Sequence, residues 1–230
     1  MSSAQSGLRR RSGIGLTSAR ARDRLAEQLE QRGIRSQEVL EQIRRAPRHL
    51  FIDEALERYA YQDNALPIGA GQTISQPYVV ALMTQALLMD DDGRMRRPGK
   101  VLEVGSGSGY QTAILSPLVR QLFAIERIRS LLDSSRPLLR ELDCGNVRFR
   151  HGDGKEGWPG QAPFDGILVA AGAASVPEAL LEQLAPGGRL VMPVGGRDCQ
   201  ELLCVERSED GEIREKLAPV AFVPLLPGQE

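Results

Sequence analysis

Val101-Leu102-Glu103-Val104-Gly105-Ser106-Gly107-Ser108-Gly109-Tyr110 is the stretch that decides the fold of this chain. Its first four residues, apolar apart from one acid, read as a parallel strand buried on both faces. Three glycines alternating with serines then read as a tight turn that opens a helix at Tyr110. Glycine at these sites permits positive φ and lets a ligand approach the main chain closely. The free N–H groups of a helix start collect at the same spot. The spacing is G-x-G-x-G, not the G-x-G-x-x-G of dinucleotide sites, and Glu103 is unusual in a strand leading to a pyrophosphate turn. Gln121-Leu-Phe-Ala-Ile-Glu126 reads as a second strand, ending in an acid 21 positions beyond Gly105. A carboxylate there can accept hydrogen bonds from ribose hydroxyls. Together these features describe a nucleoside site without a diphosphate grip. S-adenosylmethionine fits, since an amino acid replaces the phosphates. The plainer alternative is that the glycines only shorten a strand-to-helix connection.

Beyond this turn the chain alternates strand and helix. Strands are expected at 100–104, 121–126, 147–151, 166–171 and 189–192, with helices at 110–118, 128–142 and 177–184. Such alternation implies a parallel sheet with right-handed crossovers. Residues 200–206 and 216–225 then read as two strands joined by a short turn, hence an antiparallel C-terminal hairpin. The expected fold is α/β: a doubly wound, mostly parallel sheet of about seven strands, with that hairpin and an N-terminal helical cap. In such sheets ligands bind beyond the carboxyl ends of the strands. Gly105–Gly109, Glu126, Asp153-Gly154 and residues 170–173 all lie at those ends.

The cap is read from helices at 19–32, stopped by Gly33, and from Ser36 onward, where Ser36 is the N-cap. Residues 48–52 begin another short helical piece. Residues 59–77 break the helical pattern and read as a long loop, a class often functional in compact domains. Pro77 then starts an apolar helix. Residues 1–18, with Arg9-Arg10-Arg11, read as a solvated, disordered basic arm without the apolar core of a signal peptide. Residues 19–230 read as one domain: 19–90 helices and loop, 100–195 core, 200–226 hairpin.

Composition narrows the function classes. With 41% hydrophobic and 26% charged residues and a net charge of −1, bulk electrostatics favour neither nucleic acid nor membrane. No apolar run approaches the roughly 18 residues of a membrane span. Cys144, Cys199 and Cys204 lack metal-ligand spacing and have an odd count, which suits a reducing cytoplasm.

Five segments carry a resemblance: Pro47-Arg48-His49-Leu50-Phe51; Leu66-Pro67-Ile68-Gly69 with Gln72-Thr73-Ile74-Ser75-Gln76-Pro77; residues 104–112; Arg150-His151-Gly152-Asp153-Gly154; and Phe222-Val223-Pro224-Leu225. Over about residues 20–226 the chain resembles the bacterial protein-L-isoaspartate O-methyltransferases. The glycine turn is common to many S-adenosylmethionine-dependent methyltransferases, whereas residues 72–77 are far more specific. The resemblance implies methyl transfer to the free α-carboxylate of an L-isoaspartyl residue in a damaged protein, leaving S-adenosylhomocysteine. The ester then closes to a succinimide, and hydrolysis returns some normal linkage. It also implies a monomer that needs no metal.

By the same resemblance Ser75 lies in the active site, as a donor that orients the carboxylate. Ser75 also suits an N-cap of the helix that follows. Cofactor contacts are expected from Gln72, Thr73 and Ile74, from Gly105, Ser106, Gly107 and Gly109, from Glu126, and from Gly152, Asp153 and Gly154 at the adenine edge. Val223-Pro224-Leu225 is expected near the peptide, with backbone pairing to an extended substrate. A carboxylate is already ionised at neutral pH, so no strong base is required. Excluding water and holding the partners near contact speeds the displacement, and residues 66–77 are the candidate lid. Other readings stand beside this one: a methyltransferase for another carboxylate or small acceptor, a non-catalytic nucleoside binder, and an NAD enzyme, which the glycine spacing disfavours.

Overall fold

The computed structural model describes residues 15–90, 92–196, 199–208 and 210–230. Residues 1–14 of the expected disordered arm lie outside them, and its last residues depart from that reading, since Gly15–Thr17 form a short 3-10 turn closed by the Ser18 N–H to Gly15 carbonyl bond. The helical cap forms as expected, with α1 at Ala19–Gln31 and α2 at Gln37–Arg45. Ser36 caps α2, accepting the Val39 N–H at 3.2 Å. Short 3-10 turns follow at Arg48–Phe51 and Glu54–Tyr59.

The 59–77 segment holds more structure than its sequence suggests. A small antiparallel hairpin, β1 (Leu66–Gly69) and β2 (Gln72–Ile74), pairs Leu66 with Ile74. Strands this short carry no readable period-2 signal. Helix α3 (Pro77–Leu88) leaves directly from it.

The core follows as β3 (Lys100–Val104), α4 (Tyr110–Leu115), β4 (Gln121–Glu126), α5 (Arg129–Glu141), β5 (Val147–His151), β6 (Phe164–Val169), α6 (Glu178–Glu182), β7 (Leu184–Gly195), β8 (Gln200–Ser208) and β9 (Gly211–Val220). The sheet order is β5-β4-β3-β6-β7-β8-β9, parallel from β5 to β7 and antiparallel beyond. Neighbouring strand residues serve opposite faces. Val101, Leu122, Leu168 and Val191 pack toward α3. Leu102, Phe123, Ile167 and Leu190 pack on the other face, with α6. Each such side chain, fully buried, contributes about 1.5–3 kcal/mol.

Several boundaries shift by one to three residues, as at β6 (Phe164–Val169, not 166–171), and two depart further. Strand β7 starts at Leu184, not 189, because a register irregularity between Phe164 and Gly166 of β6 lets Pro186-Gly187-Gly188 stay within the ladder. Strand β9 runs Gly211–Val220, not 216–225. Its first residues are charged and exposed, which an edge strand tolerates because backbone groups make the ladder. Strand order reverses between β4-β3 and β6, and the glycine turn leaves β3 at that switch point.

Candidate active site

Beyond the carboxyl end of β3, Gly105 (φ 83°) and Gly107 (φ 52°) take backbone conformations that side chains disfavour. The Gly105 N–H donates to the Ile125 carbonyl at 2.8 Å, tying the turn to β4. Glu126, the last residue of β4, grips the turn from the side. One carboxylate oxygen accepts the Gly107 N–H at 2.7 Å and the other accepts the Ile128 N–H at 2.9 Å. Two bonds leave a carboxylate with further acceptor sites, and Glu126 lines the cavity. The Ser106 hydroxyl is buried there without a hydrogen-bond partner. A free donor beside a carboxylate with spare lone pairs, on an open backbone turn, suits a nucleoside's hydroxyls.

The opposite wall is the β1–β2 hairpin with residues 71–75, and the roof is the tail segment 223–226. Tyr110 and Gln111 at the start of α4, Ile128 and Leu131 around the start of α5, and Ala170 and Ala171 after β6 complete the enclosure. Outside it runs a second groove along Asp63–Ala65, Gln76 and Pro219–Phe222. Thr73, Ser75, Ala170 and Val223 line both spaces. Ser75 therefore stands where the cavity meets the outer groove.

Two buried ionisable groups back the site. Glu103 is completely buried on β3, and burial pushes its pKa up to about 8. The Thr112 hydroxyl draws it down and Glu126 pushes it further up, yet neither Glu103 oxygen closes a hydrogen bond. The protonated form is thereby favoured. Arg48, also fully buried, stacks its guanidinium 4.7 Å from the Tyr110 ring centroid and donates to the Asn64 carbonyl at 3.1 Å. Burial lowers its pKa, opposed first by Tyr110 and then by Asp63.

Of the residues singled out from sequence, Gln72, Thr73, Ile74, Ser75, Gly105, Ser106, Gly107, Glu126 and Gly154 line the cavity together. Gly109, Gly152 and Asp153 are not among its lining residues. A Cβ on Gly109 would stand 2.8 Å from Leu139, so this glycine serves helix packing. Gly152 donates to the Glu126 carbonyl at 3.1 Å. Asp153 is occupied elsewhere, accepting the Lys155 N–H at 2.8 Å and the Gly228 N–H at 2.6 Å. Ser75 is not the N-cap of α3, because Gln76 occupies that position and makes no side-chain cap bond.

Backbone pairing along the tail is limited by bonds already made. Phe222 exchanges both backbone groups with the Gln200 side chain, and the Val223 carbonyl accepts the Gly172 N–H. Trp158 packs edge-on against Phe123, and His151 faces the carbonyls of Arg127 and Glu230, so neither enters the cavity. Sequence reasoning missed Tyr110, Gln111, Ile128 and Leu131. Their one signal was position, immediately after the glycine turn and after the strand-ending acid.

The model of the protein-L-isoaspartate(D-aspartate) O-methyltransferase family matches residues 20–230. A Halorhodospira halophila protein-L-isoaspartate O-methyltransferase is 54% identical over 221 residues, 96% of this chain and 98% of that one. A Pseudomonas aeruginosa protein of the same name is 54% identical over 213 residues, 93% of this chain and 99% of that one. Among solved structures, a Plasmodium falciparum protein assigned to the same activity, in complex with S-adenosyl-L-homocysteine, superposes with a TM-score of 0.73. It is 27% identical, over 89% of this chain and 98% of that one.

Proposed function

Because the chain belongs to the protein-L-isoaspartate(D-aspartate) O-methyltransferase family, we propose that its cavity holds S-adenosylmethionine and that its outer groove presents an isoaspartyl carboxylate for methylation. The observation that carries this reading is the double exposure of Ser75, to the cavity and to the groove. When bound, S-adenosylmethionine supplies an electrophilic methyl group on a sulfonium. Glu126 has acceptor sites left for ribose hydroxyls, and Ser106 has a free donor in the same wall. Gln72, Thr73 and Ile74 bound the opposite side, with Gly154 where β3 approaches closely: a Cβ there would lie 2.4 Å from Val104.

Ser75 donates to the acceptor carboxylate and orients it, without becoming a covalent nucleophile. The hairpin and the tail border the site, and excluding water there on substrate binding would favour a reaction that cancels opposite charges. No proton has to leave the acceptor, so the scarcity of bases around the cavity is no obstacle. The substrate class is damaged protein, reached through an open groove that tolerates varied neighbouring side chains. The protein is read as a cytoplasmic monomer without nucleic-acid or membrane partners. No helix among the described residues is long and apolar enough to cross a membrane.

Labelled S-adenosylmethionine offered with paired isoaspartyl and aspartyl peptides tests the reading. Methyl transfer to the isoaspartyl peptide alone is expected, and equal labelling of both would overturn the repair function. Ser75→Ala should lower kcat about 10- to 150-fold, from loss of a hydrogen bond to a charged group worth about 1.5–3 kcal/mol. Affinity for S-adenosylhomocysteine should barely change. Full activity in that variant would remove Ser75 from the chemistry.

A further inference from the structure

Asp63 lies outside the cavity, on the wall of the outer groove, yet it is tied to the segment that carries Ser75. One carboxylate oxygen accepts the Tyr78 N–H at 2.7 Å. The other accepts the Gln76 side-chain amide at 2.8 Å and pairs with Arg32, from the end of α1. Arg32 in turn lies 3.9 Å over the Tyr78 ring centroid. The first turn of α3 has little of its own to hold it. Its N-cap residue Gln76 makes no side-chain cap bond, and Pro77 has no N–H to offer. Asp63 thus does from 15 positions upstream of Tyr78 what an N-cap side chain would do locally.

We propose that Asp63 is a positioning residue for methyl transfer: by clamping Gln76 and Tyr78 it sets where Ser75 stands between donor cavity and substrate groove. Ser75 is the single residue between two restraints. On its N-terminal side Ile74 is paired with Leu66 in the hairpin, and on its C-terminal side the clamp begins. Without the carboxylate, the corner at residues 75–78 keeps the hairpin on one side and, on the other, only the Val80 N–H to Gln76 carbonyl bond, the Arg32 stack on Tyr78 and the packing of α3. The donor-binding turn does not share this dependence, since its restraints come from Ile125 and Glu126 of β4. Asp63 should therefore act on the acceptor half of the reaction and leave the donor half unchanged. This inference rests on the function proposed above.

Steady-state kinetics with an isoaspartyl peptide and calorimetric titration with S-adenosylhomocysteine separate the two halves. Asp63→Ala is expected to lower kcat about 10- to 100-fold, as a displacement on the order of 1 Å does. The Kd for S-adenosylhomocysteine should stay within about twofold, as for a site with no shared partners. Asp63→Asn should recover part of the loss, because its side-chain carbonyl can still accept the Tyr78 N–H. Arg32→Met, which leaves the carboxylate but removes its cation, should fall between parent and Asp63→Ala.

Parent-like kcat in Asp63→Ala would overturn the proposal. So would a loss of S-adenosylhomocysteine affinity in proportion to kcat, or no recovery in Asp63→Asn, since either marks general destabilisation. Should Asp63→Ala fail to fold, the other two variants decide: reduced kcat with intact ligand affinity supports the clamp, and parent-like kcat in both refutes it. A parent chain that labels neither peptide would sink the function proposed above and this inference with it. An active parent beside an equally active Asp63→Ala would sink this inference alone.

Discussion

Glu103 carries an electrostatic demand that no hydrogen bond in the core answers. Its pKa rises from an ordinary 4.5 to about 8 because burial disfavours the ionised form. Between those two values the folded state holds a proton that the unfolded state has released. Folding stability must then decline as pH climbs from about 4.5 toward about 8, and this contribution levels off above that. Glu103→Gln, which stays neutral throughout, should show a flatter dependence of unfolding free energy on pH across this window. Urea titrations of both proteins at several pH values check it, and parallel curves would mean Glu103 is ionised in the fold. The acid was visible in the strand sequence. Its isolation was not, because the hydroxyl nearest it, Thr112, comes from a helix that the sheet brings alongside.

At the scale of elements, the glycine turn splits into two jobs. Gly105 and Gly107 shape the cavity wall, while Gly109 (φ 92°) lets α4 approach α5, close to Leu139 and Ser135. Gly109→Ala should destabilise the fold by about 1–3 kcal/mol, combining an unfavourable φ with crowding against α5. Gly160→Ala serves as the control: it has no atom within 4 Å of a new Cβ and should shift stability by no more than about 0.5 kcal/mol. Chemical denaturation midpoints distinguish the two. Local signals found the N-cap at Ser36, the proline start of α3 and the alternation of β3 through β6. They failed where pairing, not propensity, defines an element: the hairpin at 66–74, the early start of β7 and the polar first half of β9.

For the molecule as a whole, the cavity draws its walls from widely separated stretches: the hairpin, the ends of β3, β4 and β6, and the tail. A ligand that binds only this assembled arrangement stabilises the entire fold. S-adenosylhomocysteine at 100 times its Kd should add about 2.7 kcal/mol to the unfolding free energy. NAD at equal concentration should add nothing, since the turn lacks dinucleotide spacing. Thermal melts with each ligand would show it, and a larger shift with NAD would reverse the choice of ligand.

The chain's own residues determined the parallel sheet, the strand-ending turn and the place of Glu126, because steric limits on backbone angles and alternating burial act between near neighbours and leave a local imprint. Tertiary structure alone decided that Asp153 turns to Gly228, that Gly109 faces a helix, and that Asp63 reaches the start of α3. Those outcomes follow from which distant surfaces pack together, and a hydrogen bond or close contact between residues far apart in the chain leaves no periodic trace along it.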